Sequence, residues 1–338
     1  MTLKECNVLR GIAITGIFLH NYCHLLPYSA AENEFSFSAA NNAAFWTMLH
    51  GDRIVIQFFS FWGHLGVPLF VFLSGYGLVM KYDKKESVSW KPFLLKHFKK
   101  LFIPMVLGTL LFLLVHFLMY KEVDYSLSHA AAQLTFLINL MPHPELHFSP
   151  GPYWYFGMTL QLYVFYRLLV YRRPNWIFVT ISILLGIVPF FLQQQPHAVI
   201  WMKYNFAGWV LPFMMGILSA RYQYEPSRFS WTACGGGLIS LLIPFFGFHY
   251  HLWLLIPVIV TIAAICLMKL LPQVILKVFE VIGGISLYIF VLHPFIRELT
   301  LPLGEEVNPH LGVIVYALST LLLAWLLPRA RFFQKTRI

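Results

Sequence analysis

The sequence predicts an all-α fold, a polytopic bundle of about ten membrane-spanning helices with both termini in the cytoplasm. Three observations predict it: the composition, the length of the apolar stretches and the distribution of positive charge. Hydrophobic residues make up 59% of the chain and charged residues 11%, and the mean hydropathy is +0.68. An ordinary soluble domain carries about 25% charged residues. A soluble fold of this composition would therefore have too little polar surface to face water.

The apolar stretches have the length that a helix needs to cross a bilayer. A window of about 19 residues places them at approximately 8–26, 64–80, 102–120, 154–171, 175–194, 205–221, 231–248, 252–268, 279–297 and 311–328. Prolines such as Pro104 and Pro174 lie near several ends, where a missing backbone donor costs least. Gly75 and Pro212 lie inside spans, which membrane helices tolerate when neighbouring helices satisfy the freed carbonyls. The even number of spans predicts that both ends of the chain lie on one side.

The distribution of positive charge assigns that side to the cytoplasm. If the N-terminus is inside, most of the 24 lysines and arginines fall in inner segments, and the outer segments keep Arg53, Lys121, Lys203 and Arg297. This asymmetry follows the positive-inside rule. The net charge of +10 then needs no nucleic-acid partner, and the basic inner loops attract anionic membrane lipid headgroups. We expect an integral protein of a bacterial cytoplasmic membrane or a plasma membrane.

Two long outer segments, about 27–63 and 121–153, are predicted to be loops. The first is polar and includes Glu32 and Asp52, and the second holds Glu145 and a turn-rich SPGP at 149–152. Long loops in a compact domain are usually functional or disordered. Either these loops line an outward-facing mouth, or they merely cap the bundle.

The rest of the chain predicts neither an additional module nor a metal site. We expect a single domain over 1–338 with no fused extracellular domain, because only RFFQKTRI at 331–338 follows the last span and its flanking residues. The four cysteines lack CxxC or paired loop spacing, which predicts neither disulfides nor zinc.

Arg10 and His20 lie within the first apolar stretch, where a lipid-facing helix would carry neither. An arginine at membrane depth costs roughly 2.5–3.5 kcal/mol on insertion scales, so such residues mark an interior site by default. An imidazole has an ordinary pKa of about 6.5, so it can take a proton from a hydroxyl and return it to a leaving group. Two plainer alternatives stay open. In the first, His20 is a structural residue that hydrogen-bonds to neighbouring helices. In the second, the Arg10 side chain extends along the helix to place its charge at the membrane interface.

Five sequence blocks occur in a fixed order: LRGIAITGIFLHNYCH at the start, GVPLFVFLSGY at 66–76, KHFKKLFIP at 96–104, WYFGMTLQLY at 154–163 and ISLYIFVLHP at 285–294. Each block alone would recur by chance. Together, at matching depths and over nearly the whole chain, they closely resemble the acyltransferase-3 family of integral-membrane O-acyltransferases.

The resemblance implies a ten-helix bundle that moves an acyl group, commonly acetyl, from cytosolic acyl-CoA to a hydroxyl of an extracytoplasmic glycan or lipid-linked saccharide. It also implies roles for particular residues. Catalysis falls on Arg10, His20 and His293. Donor binding falls on Arg10, Lys96, Lys99, Lys100, Ser74, Gly75 and Tyr76, and acceptor binding falls on Trp154, Gln161, Tyr163, Ser286, Tyr288 and His293.

The chain departs from the family pattern at three places. The family usually has eleven steps from the arginine to the histidine, and here there are ten, with Asn21 at the eleventh. Because one step turns a helix by about 100°, a local irregularity is one way to aim His20. The aromatic block has Thr159 or Leu160 where the family often has a glutamate. Lysines replace the arginines of the basic block, which keeps the charge but loses the bidentate fork.

Each implied role also has a plainer alternative. The lysines would anchor the helix at the inner membrane face, Gly75 would allow close helix packing, Trp154 would belong to an interfacial belt, and His293 would hydrogen-bond at a helix end. Ser286 and His293 are about two helical turns apart, which predicts one shared face.

The rival function is a secondary transporter or exporter of a glycan or small solute. Coupled carriers generally place carboxylates at mid-membrane, and here nearly all of the 14 acidic residues are predicted in loops, which disfavours coupling. For the transferase, direct attack on the thioester and an acyl-enzyme on His20 both stay open.

Overall fold

The computed structural model describes residues 1–33, 38–49, 51–85, 87–122, 125–192, 195–223 and 255–327. In these ranges the chain is helical and contains no strand, which confirms the all-α prediction. The helices are α1 Leu3–Cys23, α2 Ala39–Met48, α3 Ile54–Trp62, α4 Gly66–Tyr82, α5 Trp90–Tyr120, α6 Leu127–Leu134, α7 Trp154–Phe165, α8 Asn175–Phe191, α9 Pro196–Tyr204, α10 Val210–Tyr222, α11 Ile256–Leu270, α12 Gln273–Gly284, α13 Ser286–Pro302 and α14 Pro309–Leu326.

Short turns of other helix types join these elements. The 3₁₀ turns are Gly63–Leu65, Ile138–Leu140, Pro144–Leu146, Gly151–Tyr153 and Phe206–Trp209, and the π turns are Tyr166–Val170 and Leu303–Val307.

Three stretches of the described chain are long and apolar enough to cross a membrane: Ile54–Tyr82, Trp90–Tyr120 and Pro309–Leu326. A bent pair, Gln273–Gly284 with Ser286–Val307, would make a fourth. The protein is therefore an all-α membrane protein, and the count of ten spans stays a prediction. The predicted span 231–248 and the start of 252–268 lie outside the described residues, as do Arg228, Cys234, Arg329, Arg331, Lys335 and Arg337.

Helix α1 is long enough to span a bilayer but is not among the three apolar stretches. It begins before the predicted span, at Leu3, because Thr2 and Glu5 form a reciprocal capping box with the first turn. Its polar residues lower its hydropathy. As described below, three of them line the interior cavity of the bundle.

The prediction that 27–63 is a loop is wrong for much of its length. It contains α2 and α3, and α3 continues through the turn Gly63–Leu65 into α4. The sequence IVIQFFSFW of α3 is apolar, and the polar residues that suggested a loop precede it. The second outer segment likewise contains α6 and three 3₁₀ turns. Helix α5 also begins earlier than the predicted span, so the basic run lies on a helix, for which lysine and leucine are good formers.

The predicted span 279–297 is broken rather than continuous. Helices α12 and α13 meet at Ile285 with a bend of 72°. The break follows Gly283 and Gly284, and glycine is a poor residue for a helix interior. Ser286 consequently stands at the first position of a new helix.

A contact between two glycines fixes the centre of the bundle. Gly16 on α1 faces Gly63, the first residue of the turn between α3 and α4. A Cβ atom added at Gly63 would lie 2.5 Å from the carbonyl oxygen of Gly16 and 2.7 Å from the Cβ of His20. Small residues allow such a close backbone approach between membrane helices. This approach places the α3–α4 turn directly against the middle of α1.

Candidate active site

One cavity of about 440 Å³ runs through the bundle along α1. At one end its lining includes Arg10, Ser74 and Lys100, which we call the basic end. His20 lies about 15 Å further along the helix, at 1.5 Å per residue. The opposite end, which we call the aromatic end, is lined by Glu145, Phe148, Trp154, Lys203 and Tyr204 among others. The cavity therefore extends from Arg10 and Lys100 past His20 to Trp154.

His20 is buried and held in one orientation. Its ring nitrogen Nδ1 lies 2.9 Å from the carbonyl oxygen of Ser60 and 3.3 Å from that of Phe59. Because a carbonyl only accepts, Nδ1 carries the hydrogen and donates, so in the neutral ring the basic lone pair lies on Nε2. The end of α3 thus sets the tautomer that a general base requires.

The ten-step spacing from Arg10 to His20 needs no helix irregularity. Helix α1 is a continuous α-helix from Leu3 to Cys23, and Arg10 and His20 both line the cavity. Asn21, at the eleventh step, also lines it, while its amide donates to the carbonyl oxygen of Ile17 at 2.8 Å. Long side chains on neighbouring faces of one helix reach the same cavity.

Two further histidines surround His20, and sequence reasoning missed both. His24 stacks on His20 with ring centroids 4.7 Å apart, and its Nδ1 donates to the carbonyl oxygen of His20 at 2.7 Å. His64 lies edge-on to His20 with ring centroids 5.5 Å apart. All three rings line the cavity. Among the described residues, no group of three or more His, Cys, Asp or Glu could hold a metal ion.

Glu32 brings a carboxylate to the same place from the segment after α1. Burial raises the pKa of Glu32, but the charges of His20 and His64, a backbone hydrogen bond and Lys203 together lower that pKa to about 2. Glu32 is thus ionised at neutral pH. Glu32 and Glu145 both line the cavity, so each of the two long outer segments contributes to the cavity wall, which is the first of the two alternatives for these segments.

The basic end holds only part of the predicted donor set. Arg10 donates to the side-chain oxygen of Asn7 at 2.8 Å, and Lys100 lines the cavity with it. Lys96, Lys99 and Lys100 are all exposed, and of these three only Lys100 is a lining residue. Lys81 lies close enough to Lys96 and Lys100 for their charges to interact. The basic block therefore forms a positive surface with Lys100 at its inner edge.

In the predicted Ser-Gly-Tyr motif, Ser74 lines the cavity and its neighbours pack elsewhere. Gly75 lies against the backbone carbonyl of Phe213 on α10, so a larger residue would separate the two helices. The hydroxyl of Tyr76 donates to the carbonyl oxygen of Met1 at 3.0 Å and accepts from the N-terminal amine at 2.9 Å. The motif therefore holds α4 against α10 and against the N-terminus, and it places Ser74 in the cavity wall.

In the aromatic block, Trp154 and Tyr163 line the cavity, and Gln161 does not. The amide of Gln161 donates to Asn205 at 2.8 Å, and its oxygen accepts from the backbone N–H of Phe206 at 3.0 Å. Gln161 thereby ties α7 to the turn before α10. Of Thr159 and Leu160, the two candidates for the place where the family often has a glutamate, Thr159 lines the cavity.

In the last block, Ser286 lines the cavity, whereas Tyr288 and His293 are not among its lining residues. His293 is fully buried, and its Nδ1 donates to the carbonyl oxygen of Phe290 at 2.9 Å. Phe290 lines the cavity, and its ring centroid lies 5.7 Å from that of His293. The two predicted residues are two turns apart on α13, but Ser286 lines the cavity and His293 instead packs against the lining residue Phe290.

A comparison with protein families gives this arrangement its context. A family model described as an acyltransferase domain, that of the acyltransferase-3 family, matches residues 3–329. The chain belongs to the acyltransferase-3 family. No curated protein and no solved structure gives a significant match to the chain. The resemblance in the five ordered blocks is thereby confirmed, and the protein is a membrane acyltransferase, a transferase of groups other than aminoacyl groups.

Proposed function

We propose that this acyltransferase moves an acyl group, commonly acetyl, from cytosolic acyl-CoA to a hydroxyl of an extracytoplasmic glycan or lipid-linked saccharide, with His20 as the general base. The observation that carries the proposal is the single cavity that joins Arg10 and Lys100 to His20 and continues to Trp154. Two substrates entering from opposite ends would meet at the imidazole.

The donor binds at the basic end, which faces the cytoplasm in the orientation that positive charge favours. Ammonium and guanidinium groups make charge-assisted hydrogen bonds with phosphates. Lys100 and Arg10 are placed to do so inside the opening, and Lys96 and Lys99 add positive charge around it. The pantetheine arm then extends past Ser74 and carries the thioester to His20.

The acceptor enters at the aromatic end. Trp154 lies parallel to Trp209 with ring centroids 5.7 Å apart, which fixes its indole at the cavity wall. Tyr163 and Ser286 also line the cavity but lie toward its basic end, since Tyr163 packs on His97 with ring centroids 4.5 Å apart and Ser286 follows Gly283, which lies against the backbone of Asn7. Contact of these two residues with the acceptor would therefore be made where the acceptor reaches past His20. Gln161, Tyr288 and His293 do not contact the acceptor. They position α7 and α13, which carry the lining residues. Aromatic faces with nearby polar groups suit a saccharide, whose ring has an apolar face and a polar rim.

The reaction needs one proton transfer in each direction. The acceptor hydroxyl oxygen bonds to the thioester carbonyl carbon while His20 Nε2 takes its proton. The tetrahedral intermediate then collapses, the C–S bond breaks, and the coenzyme A thiolate receives that proton from His20. The ionised Glu32 stabilises the imidazolium between these steps. The base contributes typically about 10²–10⁴-fold, and the alignment of two substrates in one cavity contributes much of the rest.

The test uses membrane vesicles from the native cell, in which the acceptor is present, supplied with labelled acetyl-CoA. We expect wild-type protein to release coenzyme A and label an acceptor, and His20→Ala to lose roughly 10²–10⁴-fold in rate. The control is His129→Ala, because His129 packs against His147 in the outer segment and does not line the cavity.

Retained turnover by His20→Ala would contradict the proposed base. Label that stays on the protein after denaturation would favour an acyl-enzyme over direct attack. Solute movement without thioester consumption would favour the transporter alternative, which the family assignment disfavours. Mass spectrometry of glycans from cells with and without the protein would identify the acceptor.

A further inference from the structure

His64 is a buried polar side chain beside His20 that the proposed mechanism has not used. It lies on the turn Gly63–Leu65 and is 5% exposed. Among the described residues, neither of its ring nitrogens has a partner at normal hydrogen-bond distance and angle, and the backbone of Asn33 and Phe61 interacts with the ring only weakly. Buried polar groups are nearly always paired, so an unpaired one calls for a specific reason.

His20 and His24 differ from His64 in their hydrogen bonds to the backbone. His20 donates through Nδ1 to the carbonyl oxygen of Ser60, and His24 donates through Nδ1 to that of His20. Each of these rings therefore has one nitrogen committed to backbone. His64 has no such close bond, yet it is among the residues that line the same cavity, and its ring centroid lies 5.5 Å from that of His20. Its ring therefore stands beside His20 without a close backbone hydrogen bond to hold its nitrogens.

This spacing suits two groups that act on one carbon atom. In the tetrahedral intermediate, the attacking oxygen and the oxyanion are bonded to the same carbon. A base on one ring and a donor on the facing ring can each reach its oxygen at about 2.7–3.1 Å, the distance that an oxyanion site requires. The neutral imidazole of His64 always offers one N–H for this purpose.

We propose that His64 is a second catalytic residue, whose ring N–H donates to the oxyanion formed on the thioester carbonyl. This inference rests on the proposed function. As the acceptor oxygen attacks, the carbonyl π electrons move to oxygen and His64 shares its proton with that oxygen without releasing it. When the C–S bond breaks, the electrons return to the carbonyl, and the proton taken up by His20 passes to the thiolate.

The test replaces His64 by Phe, Asn and Gln and assays each variant in native membrane vesicles with labelled acetyl-CoA. His64→Phe keeps the ring but removes the donor, so kcat should fall roughly 10²–10³-fold while the KM for acetyl-CoA stays within about twofold. The amide nitrogen of Asn occupies about the position of Nδ1 and that of Gln the position of Nε2. One of the two should restore kcat at least about tenfold over His64→Phe, because an amide donates but cannot act as a base.

A stability measurement accompanies the assay. Replacing an unpaired buried polar ring by an apolar ring of similar shape is nearly neutral or stabilising, so purified His64→Phe should unfold at a temperature no lower than wild type. Lost activity without lost stability would show that the ring serves the reaction and not the fold.

Two results would overturn the proposal. One is a His64→Phe variant that keeps its kcat. The other is a loss that neither Asn nor Gln reduces, which would point to proton transfer instead of hydrogen bonding. The His20→Ala variant in the same assay tests the proposed function separately, since His64 can fail as a donor while His20 remains essential.

Discussion

The middle of the cavity and its basic end are built in different ways. In the middle, His20 is fixed by the carbonyls of α3, by the stacked ring of His24 and by the contact between Gly16 and Gly63. At the basic end, Lys96, Lys99 and Lys100 are all exposed, and the positively charged residues that line the cavity there are Arg10 and Lys100. In the middle of the cavity His20 is held in one position by several contacts, whereas at the basic end the positive charge is shared among several side chains.

This difference fits the two tasks. A proton transfer depends on geometry at the scale of one ångström, whereas binding of a phosphate depends on the summed positive charge nearby. Single changes in the middle should therefore have large effects on kcat, and single changes at the basic end should have small effects on KM.

Outside the histidines themselves, the largest effect is expected from Gly63→Ala. The added methyl group would meet the backbone of Gly16 and the Cβ of His20 at distances that atoms essentially never adopt, so α1 and the α3–α4 turn must separate. We expect about a 10²-fold loss of turnover and a loss of about 1–3 kcal/mol in the free energy of unfolding. Turnover of labelled acetyl-CoA and thermal unfolding of the purified protein measure the two effects.

The matched control is Gly77→Ala on α4. Nothing lies within 4 Å of the Cβ position at Gly77, so the same substitution should be tolerated and should favour the helix by up to about 1 kcal/mol. Equal behaviour of the two variants would contradict the glycine contact as the feature that positions His20.

The all-α fold and two residues of the cavity, Arg10 and His20, are recognisable from the sequence. An ionisable residue within an apolar stretch is unusual, so both residues can be singled out without a structure. His64 cannot be singled out in this way, because it is the first residue of the predicted span 64–80, where a histidine at the membrane interface is common. Only the continuation of α3 into α4 and the Gly16–Gly63 approach bring it to His20.

The same limit applies to Glu32 and His293. Glu32 lies in a polar segment, and its place in the cavity depends on how that segment folds back over α1. The helical period puts Ser286 and His293 on one side of α13, but it carries no information about which of them lines the cavity and which packs against Phe290. Periodicity gives the direction of a side chain, and the packing of neighbouring helices decides what it reaches.

A smaller effect is expected from Glu32→Gln, which removes the carboxylate beside His20 without changing its shape. The imidazolium formed during transfer would lose its counter-charge, so kcat should fall roughly 10- to 100-fold. The turnover assay measures this loss, and Glu122→Gln, on the loop after α5, is the control. An unchanged kcat would remove Glu32 from the mechanism.

The pKa of Glu32 also predicts how stability depends on pH. Because this pKa lies below its ordinary value of 4.5, the carboxylate stabilises the fold fully above about pH 4.5, and this contribution is lost as the pH falls towards 2. Between these values, the unfolding temperature of wild type should fall more steeply than that of Glu32→Gln. Parallel curves for the two proteins would show that Glu32 is not held by the imidazoles.

The smallest effect is expected at the basic end, from Lys100→Gln compared with Lys99→Gln. The two lysines are neighbours on α5, but only Lys100 lines the cavity. Lys100→Gln should raise the KM for acetyl-CoA roughly threefold to tenfold with kcat unchanged, because the lost contact serves ground state and transition state alike. Lys99→Gln should change KM less than about twofold, and added salt should reduce both differences by screening. A fall in kcat for Lys100→Gln as large as that for Glu32→Gln would show that the basic end also positions the thioester, and the contrast between exact placement and shared charge would no longer hold.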